Sequence, residues 1–166
     1  TGRMAYVFSL GALMGLPGTR RYADHAVKAL TNYFTDPVNG GMWFAIKPEP
    51  DAEGRGVPWD EDARVKSQYH TVYALLGVAA ATVANRPGAH ELLNRMLEEQ
   101  KELWADDYGL VWDEYDEAFN EPVPVHTLGT LIHTIEAYMA AAEATTEPEW
   151  LDHAEKMTAF AYKIAS

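Results

Sequence analysis

Apolar and polar positions alternate along the chain in a way that predicts six helices and no sustained strand. Arg3–Gly15 carries Met4, Val7, Phe8, Leu10, Ala12 and Leu13 and is apolar almost all round. Thr19–Phe34 is amphipathic, with Tyr22, Ala26, Ala29, Leu30 and Phe34 forming one stripe. The same two textures return in Lys66–Ala84 (Val72, Leu75, Leu76, Val78) followed by Ala89–Trp104, where Leu92, Leu93, Met96 and Leu97 oppose Glu91, Arg95 and Glu98. They return once more in Thr127–Thr145 followed by Glu149–Ile164. A helix apolar on every side must be covered on every side, whereas a striped helix leaves one face to water. The order is therefore buried, half-exposed, three times over.

Punctuation marks the same repeat. Leu16-Pro17-Gly18, Arg86-Pro87-Gly88 and Glu147-Pro148-Glu149 each separate an apolar helix from a striped one, and proline is favoured in the first turn of a helix. Phe34 and Asp36 follow Pro17 by 17 and 19 residues, and Trp104 and Asp106 follow Pro87 by the same steps. The unit is a helical hairpin plus a loop of variable length. Such a hairpin cannot bury its apolar helix without neighbours. The pattern predicts an all-α fold, an α/α toroid with apolar helices as the inner ring and striped helices outside, in one domain over residues 1–166. An open solenoid of the tetratricopeptide kind is the alternative, but its repeats are shorter and more tightly looped. Two long rim loops are expected. In the first, residues 40–46 read as a short strand or turn and Pro48–Asp62 as a mobile flap; the second, Ala105–Pro124, reads as hairpin-like.

Composition narrows the field. The 166 residues include 19 aromatics and are 48% apolar, which excludes global disorder. Twenty-five acidic against 13 basic side chains give a net charge of −12, which argues against a nucleic-acid partner and, more weakly, an anionic membrane surface. The most apolar stretch, Val72–Ala84, is too short to span a bilayer. The chain has no cysteine, hence no disulfide or thiolate metal site, in keeping with a reducing compartment such as the cytoplasm. No leader-like segment opens it, and its start without Met inside an apolar pattern points to a missing beginning.

Arg3 on an apolar helix needs an anionic or hydroxyl-rich partner, or else is an exposed residue at the start of the chain. His133 lies mid-way along an apolar helix with Glu136 one turn on, where a carboxylate can orient an imidazole; a satisfied core histidine has the same pattern. Tyr69 and Tyr73 share a face at i,i+4 and could line a polar cavity or simply pack. Trp43, Trp59 and Trp112 fall in rim loops, where indoles stack on sugars or pin the loop. His25, His90 and His153 fall among charges and are expected to be solvated. His126 could share a face with His133, yet no spacing completes a metal site, and neither a metal nor a cofactor is expected. Asp36, Asp106, Asp113 and Glu114 could supply a glycosidase pair, although turns explain them as well.

These motifs carry a resemblance. Thr1-Gly2-Arg3-Met4, Asp36 with Gly40-Gly41-Met42-Trp43-Phe44, Lys66-x-x-Tyr69-x-x-x-Tyr73, and His133-x-x-Glu136-Ala137 resemble, in order and spacing, motifs of the N-acylglucosamine 2-epimerase family. The resemblance implies the N-terminal half of an (α/α)6 barrel whose sugar site lies in the funnel between inner helices and rim loops. It implies isomerisation or epimerisation at C2 of an aldose, of the mannose–fructose type, through an enediol. His133 and Arg3 would be catalytic; Arg3, Tyr69, Trp43 and Glu136 would contact a monosaccharide substrate. It further implies that this chain is inactive alone, because the family's later histidines lie in the other half. Positions where relatives carry asparagines hold Gly129 and Leu131, and where they carry a histidine after the inner-helix tyrosine stands Thr71. The alternatives are a glycoside hydrolase using rim carboxylates and a non-enzymatic helical-repeat module. The open half-barrel edge is a candidate surface for self-association.

Overall fold

The computed structural model describes residues 1–165 and contains three helical hairpins. Helix α1 spans Gly2–Leu13 and α2 spans Thr19–Ala29, the latter continuing through a wide π-type turn, Leu30–Phe34. Helix α3 spans Gln68–Val83, and α4 spans Ala89–Glu99 with its own π-type turn, Gln100–Trp104. Helices α5 and α6 span Leu128–Thr145 and Glu149–Ala165. Each inner helix packs on its own outer partner, and α3 also packs against both α1 and α5. The inner layer is thus α1–α3–α5, and the outer layer α2, α4 and α6.

Position in this arc explains burial. With both flanks covered, α3 buries Val72 and every residue from Ala74 to Ala81. Helices α1 and α5 have one covered flank each, so Val7, Leu13 and Met14 on or just after α1, and Ile132 and Met139 on α5, stand exposed. The layers meet at Leu75, Val78, Leu93, Met96, Leu131, Trp150 and Met157. Helix α2 buries Ala23, Ala26, Val27 and Leu30, so its stripe is rotated from the expected one and Tyr22 lies outside it, against Phe8.

The repeat is carried into atomic detail. Pro17 and Pro87 stand just before Gly18 and Gly88, the glycines that cap α2 and α4, rather than in the first helical turn. Those glycines take φ of 78° and 74°, a left-handed conformation that needs no Cβ. At the other end, Thr35 and Ala105 donate N–H bonds to Leu30 and Gln100, closing the two π-type turns. Asp36 Oδ1 then accepts from the amides of Val38 and Asn39, and Asp106 Oδ1 from those of Tyr108 and Leu110. The loops return with Trp43 and Trp112 donating to the carbonyls of Phe34 and Trp104.

Three short strands appear: two of them pair within the second rim loop, which was expected to be hairpin-like, while residues 40–46, expected as a short strand or turn, make only isolated bridges to Thr35 and Pro58. β1 (Lys66–Ser67), β2 (Glu114–Tyr115) and β3 (Pro122–Val123) form an antiparallel sheet that ties the start of α3 to the second rim loop. Pro48–Asp62, expected as a mobile flap, is folded: Lys47 N–H bonds Val57 O, and Asp51 accepts from the amides of Glu53 and Arg55 and from the Arg55 guanidinium. No helix among the described residues is long and apolar enough to cross a membrane.

Candidate functional site

The inner helices run parallel, so α1 and α3 bring their first turns together below the rim loops, and the start of α5 joins them. Their positive dipole ends converge there. The α1–α3 crossing is set by backbone contact. A Cβ at Gly77 would lie 2.3 Å from Gly2 O, and one at Gly2 would lie 2.5 Å from Tyr73 O. This approach lays Arg3 on Tyr73, with the guanidinium carbon 4.2 Å from the ring centroid. Contact with the Tyr73 hydroxyl is the main influence raising the Arg3 pKa.

A row of polar groups crosses from α3 to α5. The Tyr73 hydroxyl lies 2.8 Å from His133 Nε2 and 3.3 Å from the Tyr69 hydroxyl, and His133 Nδ1 lies 3.2 Å from Glu136 Oε2. The Tyr69 ring meets the imidazoles of His70 and His133 edge-on, at 5.5 and 5.6 Å. Burial, reinforced by Tyr69 and opposed by Arg3, raises the Tyr73 pKa, so the phenol is protonated at neutral pH.

Beside this row lies a cavity of about 370 Å³ between α1, α3 and the first rim loop, walled in part by Arg3, Trp43, Phe44, Tyr69, His70 and Tyr73. His70 stacks on Phe44 at 4.8 Å, and its Nδ1 is 2.9 Å from Ser67 Oγ. Burial lowers its pKa, against the pull of Glu114, keeping the ring neutral.

Of the residues singled out from the sequence, Arg3, Tyr69, His133 and Glu136 come together. Trp43 shares the cavity wall but is buried, and Lys66 Nζ sits 5.6 Å from its ring. Tyr73, expected from the sequence only as a residue that lines a cavity or packs, and His70, given no role there, also belong to the site. The i,i+4 spacing of Tyr69 and Tyr73 was the available signal, but a tyrosine in an apolar helix reads equally well as packing.

Other candidates are occupied structurally. His126 precedes α5 instead of sharing its face with His133; its Nδ1 meets Val111 O at 2.8 Å, and its ring stacks on Trp112. His153 is packed against Trp150 rather than solvated, and burial is the main cause of its lowered pKa. Asp36 and Asp106 organise turns, and both Asp113 oxygens accept from Thr127 N–H, which removes them as a free glycosidase pair. Among the described residues no group of three or more His, Asp or Glu side chains is arranged to hold a metal ion.

A half-ring of α/α hairpins with a polar pocket at the N-terminal ends of its inner helices defines the class: half of an (α/α)6 barrel. The spirochaete Spirochaeta thermophila supplies a solved neighbour, a cellobiose 2-epimerase, that matches with a TM-score of 0.79 at 22% identity over 94% of this chain and 40% of its own. A crystal structure of a D-mannose isomerase matches equally well, with a TM-score of 0.79 at 20% identity over 94% of this chain and 39% of its own. These likenesses establish the fold. In sequence, a D-mannose isomerase of Thermobifida fusca is 32% identical over 161 residues, covering 96% of this chain and 37% of the relative. One from Pseudomonas cannabina pv. alisalensis is 28% identical over 155 residues, covering 35% of its length. The chain therefore spans little more than a third of these relatives. The family model for N-acylglucosamine 2-epimerase matches residues 1–165, and the chain belongs to that family.

Proposed function

We propose that this chain forms one half of a sugar isomerase or 2-epimerase acting at C2 of an aldose, of the mannose–fructose type, by proton transfer through an enediol. The observation that carries the reading is that Arg3, over the Tyr73 ring, and His133, at the Tyr73 hydroxyl, meet through that one tyrosine at the mouth formed by the inner helices. Arg3 and Tyr69 offer donors to substrate oxygens, and Trp43 forms part of the wall. The Glu136 carboxylate orients the imidazole of His133, a side-chain type suited to general acid–base work. Negative charge developing on an enediolate would face a guanidinium and converging helix N-termini. The 370 Å³ cavity suits a monosaccharide. We assign the reaction to the complete protein, place it in the cytoplasm on the cysteine-free composition, and expect the 166-residue chain alone to be inactive.

The test is an assay of the full-length gene product on unmodified aldoses, D-mannose first, in deuterated water. Deuterium at C1 of the ketose or C2 of the aldose is the expected result. Full conversion without solvent deuterium, or no turnover of any aldose, would overturn the assignment.

A further inference from the structure

The two rim loops fold back in the same register but are held differently. Asp36 N–H donates to Gly41 O and Asp106 N–H to Leu110 O, and Trp43 and Trp112 follow two residues later. In the second loop the Leu110 amide donates to Asp106 Oδ1, inside its own turn. In the first, the equivalent Gly41 amide donates across to Glu99 Oε1, 3.1 Å away at the end of α4, on the neighbouring hairpin. Glu99 stands 12 residues after Pro87, and the residue 12 after Pro148 is Phe160, which has no acceptor to offer the second loop. The carboxylate is thus attached to the loop that supplies Met42, Trp43 and Phe44 to the cavity wall. We propose that Glu99 is a positioning residue for the ligand, holding the first rim loop through Gly41 so that Trp43 and Phe44 wall the cavity. The inference rests on the isomerase reading for the nature of the ligand.

A tether is needed at this point of the chain. Gly40 and Gly41 take φ of 77° and 66° in succession, and consecutive glycines give the segment leading to Trp43 and Phe44 little intrinsic stiffness. Gly41 cannot be stiffened by a side chain, because a Cβ there would lie 2.7 Å from the Phe119 ring. The restraint has to come from a partner. The Glu99 side chain is mostly buried, and the Gly41 amide is its one hydrogen-bond donor among the described residues. Burial raises its pKa, against the Gly41 amide, Arg95 and Lys66, and a carboxyl oxygen accepts from an amide in either protonation state. One turn earlier on α4, Arg95 Nη2 donates to Thr35 Oγ1 at 2.7 Å, so the same helix face also grips the stem of the loop. At the equivalent stem position of the second loop stands Ala105. On the cavity side, Phe44 stacks on His70 at 4.8 Å, which makes the imidazole a reporter of where the loop lies.

The test compares Glu99→Gln and Glu99→Leu with the wild type, by kinetics in the full-length gene product and by NMR in this 166-residue chain. Glutamine keeps a carbonyl oxygen to accept from Gly41, and leucine removes it. On D-mannose, Glu99→Leu should raise KM roughly tenfold with kcat within about twofold, and Glu99→Gln should bring KM back to within about twofold of the wild type. In the NMR spectra, Glu99→Leu but not Glu99→Gln should accelerate exchange of the Gly41 amide and shift the His70 ring protons as Phe44 moves away. An unchanged KM in Glu99→Leu, a fall in kcat at constant KM, or a glutamine variant no better than the leucine one would overturn the proposal. If Glu99→Leu does not fold, the Gly41 amide decides: protection kept in the wild type and Glu99→Gln supports the proposal, and exchange as fast as that of an open loop overturns it. A wild type that turns over no aldose, together with the leucine-specific NMR changes, would support the loop-holding role and tell against the sugar assignment; the absence of both would overturn the two together.

Discussion

Lys66 is fully buried, with its ammonium 2.7 Å from Asp36 Oδ2 and close to the Trp43 and Phe119 rings. Burial raises the Asp36 pKa, but Lys66 and the turn's donors outweigh it and hold the carboxyl below its ordinary value. The pair is ionised at neutral pH, and it pins the first rim loop over the cavity. Lys66→Met should cost about 3–5 kcal/mol at pH 7, measured by urea denaturation, because it strands a buried carboxylate. The sign of the pH effect follows from linkage. Asp36, with its lowered folded pKa, contributes stability present above the unfolded carboxylate pKa and lost as pH falls through the folded one. The deficit of Lys66→Met should therefore shrink on acidification as the stranded carboxyl takes up a proton; a deficit constant with pH would count against the pair. None of this was legible in advance, since lysine is almost never fully buried and nothing in the local pattern marks position 66 as interior. Arg3 and His133 stood out because a cation and an imidazole are out of place on apolar helices, but the pattern alone left an exposed arginine and a satisfied core histidine open, and the family resemblance carried their proposed roles.

The hairpins were read correctly because their signals are long or repeated: apolar segments of 13 to 19 residues alternating with striped ones, the Pro-Gly pairs, and Phe34-x-Asp36 matched by Trp104-x-Asp106. The second rim loop was read as hairpin-like, but its individual strands were not placed because two residues each are too few to show an alternation. The equivalence of the repeats runs further than spacing showed. Lys66 meets Asp36 beside Trp43, and His126 Nε2 lies 3.3 Å from Asp106 Oδ2 beside Trp112, so the two rim loops set a nitrogen-bearing side chain against equivalent aspartates. Gly77 is the other feature of this scale, since it lets α1 approach α3 backbone to backbone. Gly77→Ala should force the helices apart and cost about 1–3 kcal/mol by overpacking, despite alanine's better helix propensity. The same displacement should lift Arg3 from the Tyr73 ring, read as a change in Tyr73 ring-proton shifts. A stabilised variant with unchanged shifts would show that the crossing is not set there.

At the level of the whole molecule, the arc of α1, α3 and α5 has two open flanks, and their character is apolar. Met4, Val7 and Met14 line up at helical spacing along α1 and just past its end, and Leu128 and Ile132 do so along α5, all of them exposed. An exposed edge of this kind would be polar in a chain that stands alone, and contiguous exposed apolar surface marks a contact. The curated relatives are more than two and a half times as long as this chain, and that additional length is available to cover such flanks. The isolated 166-residue chain, with net charge −12, is held apart by repulsion at low salt and by nothing at high salt. It should therefore self-associate reversibly in sedimentation velocity at micromolar concentration, more strongly as salt screens the charge. Val7 is 60% exposed, so Val7→Glu leaves the core intact and should shift the distribution toward monomer. A wild-type chain that stays monomeric at all salt concentrations would mean that these side chains are tolerated in water and that the flanks are not contact surfaces.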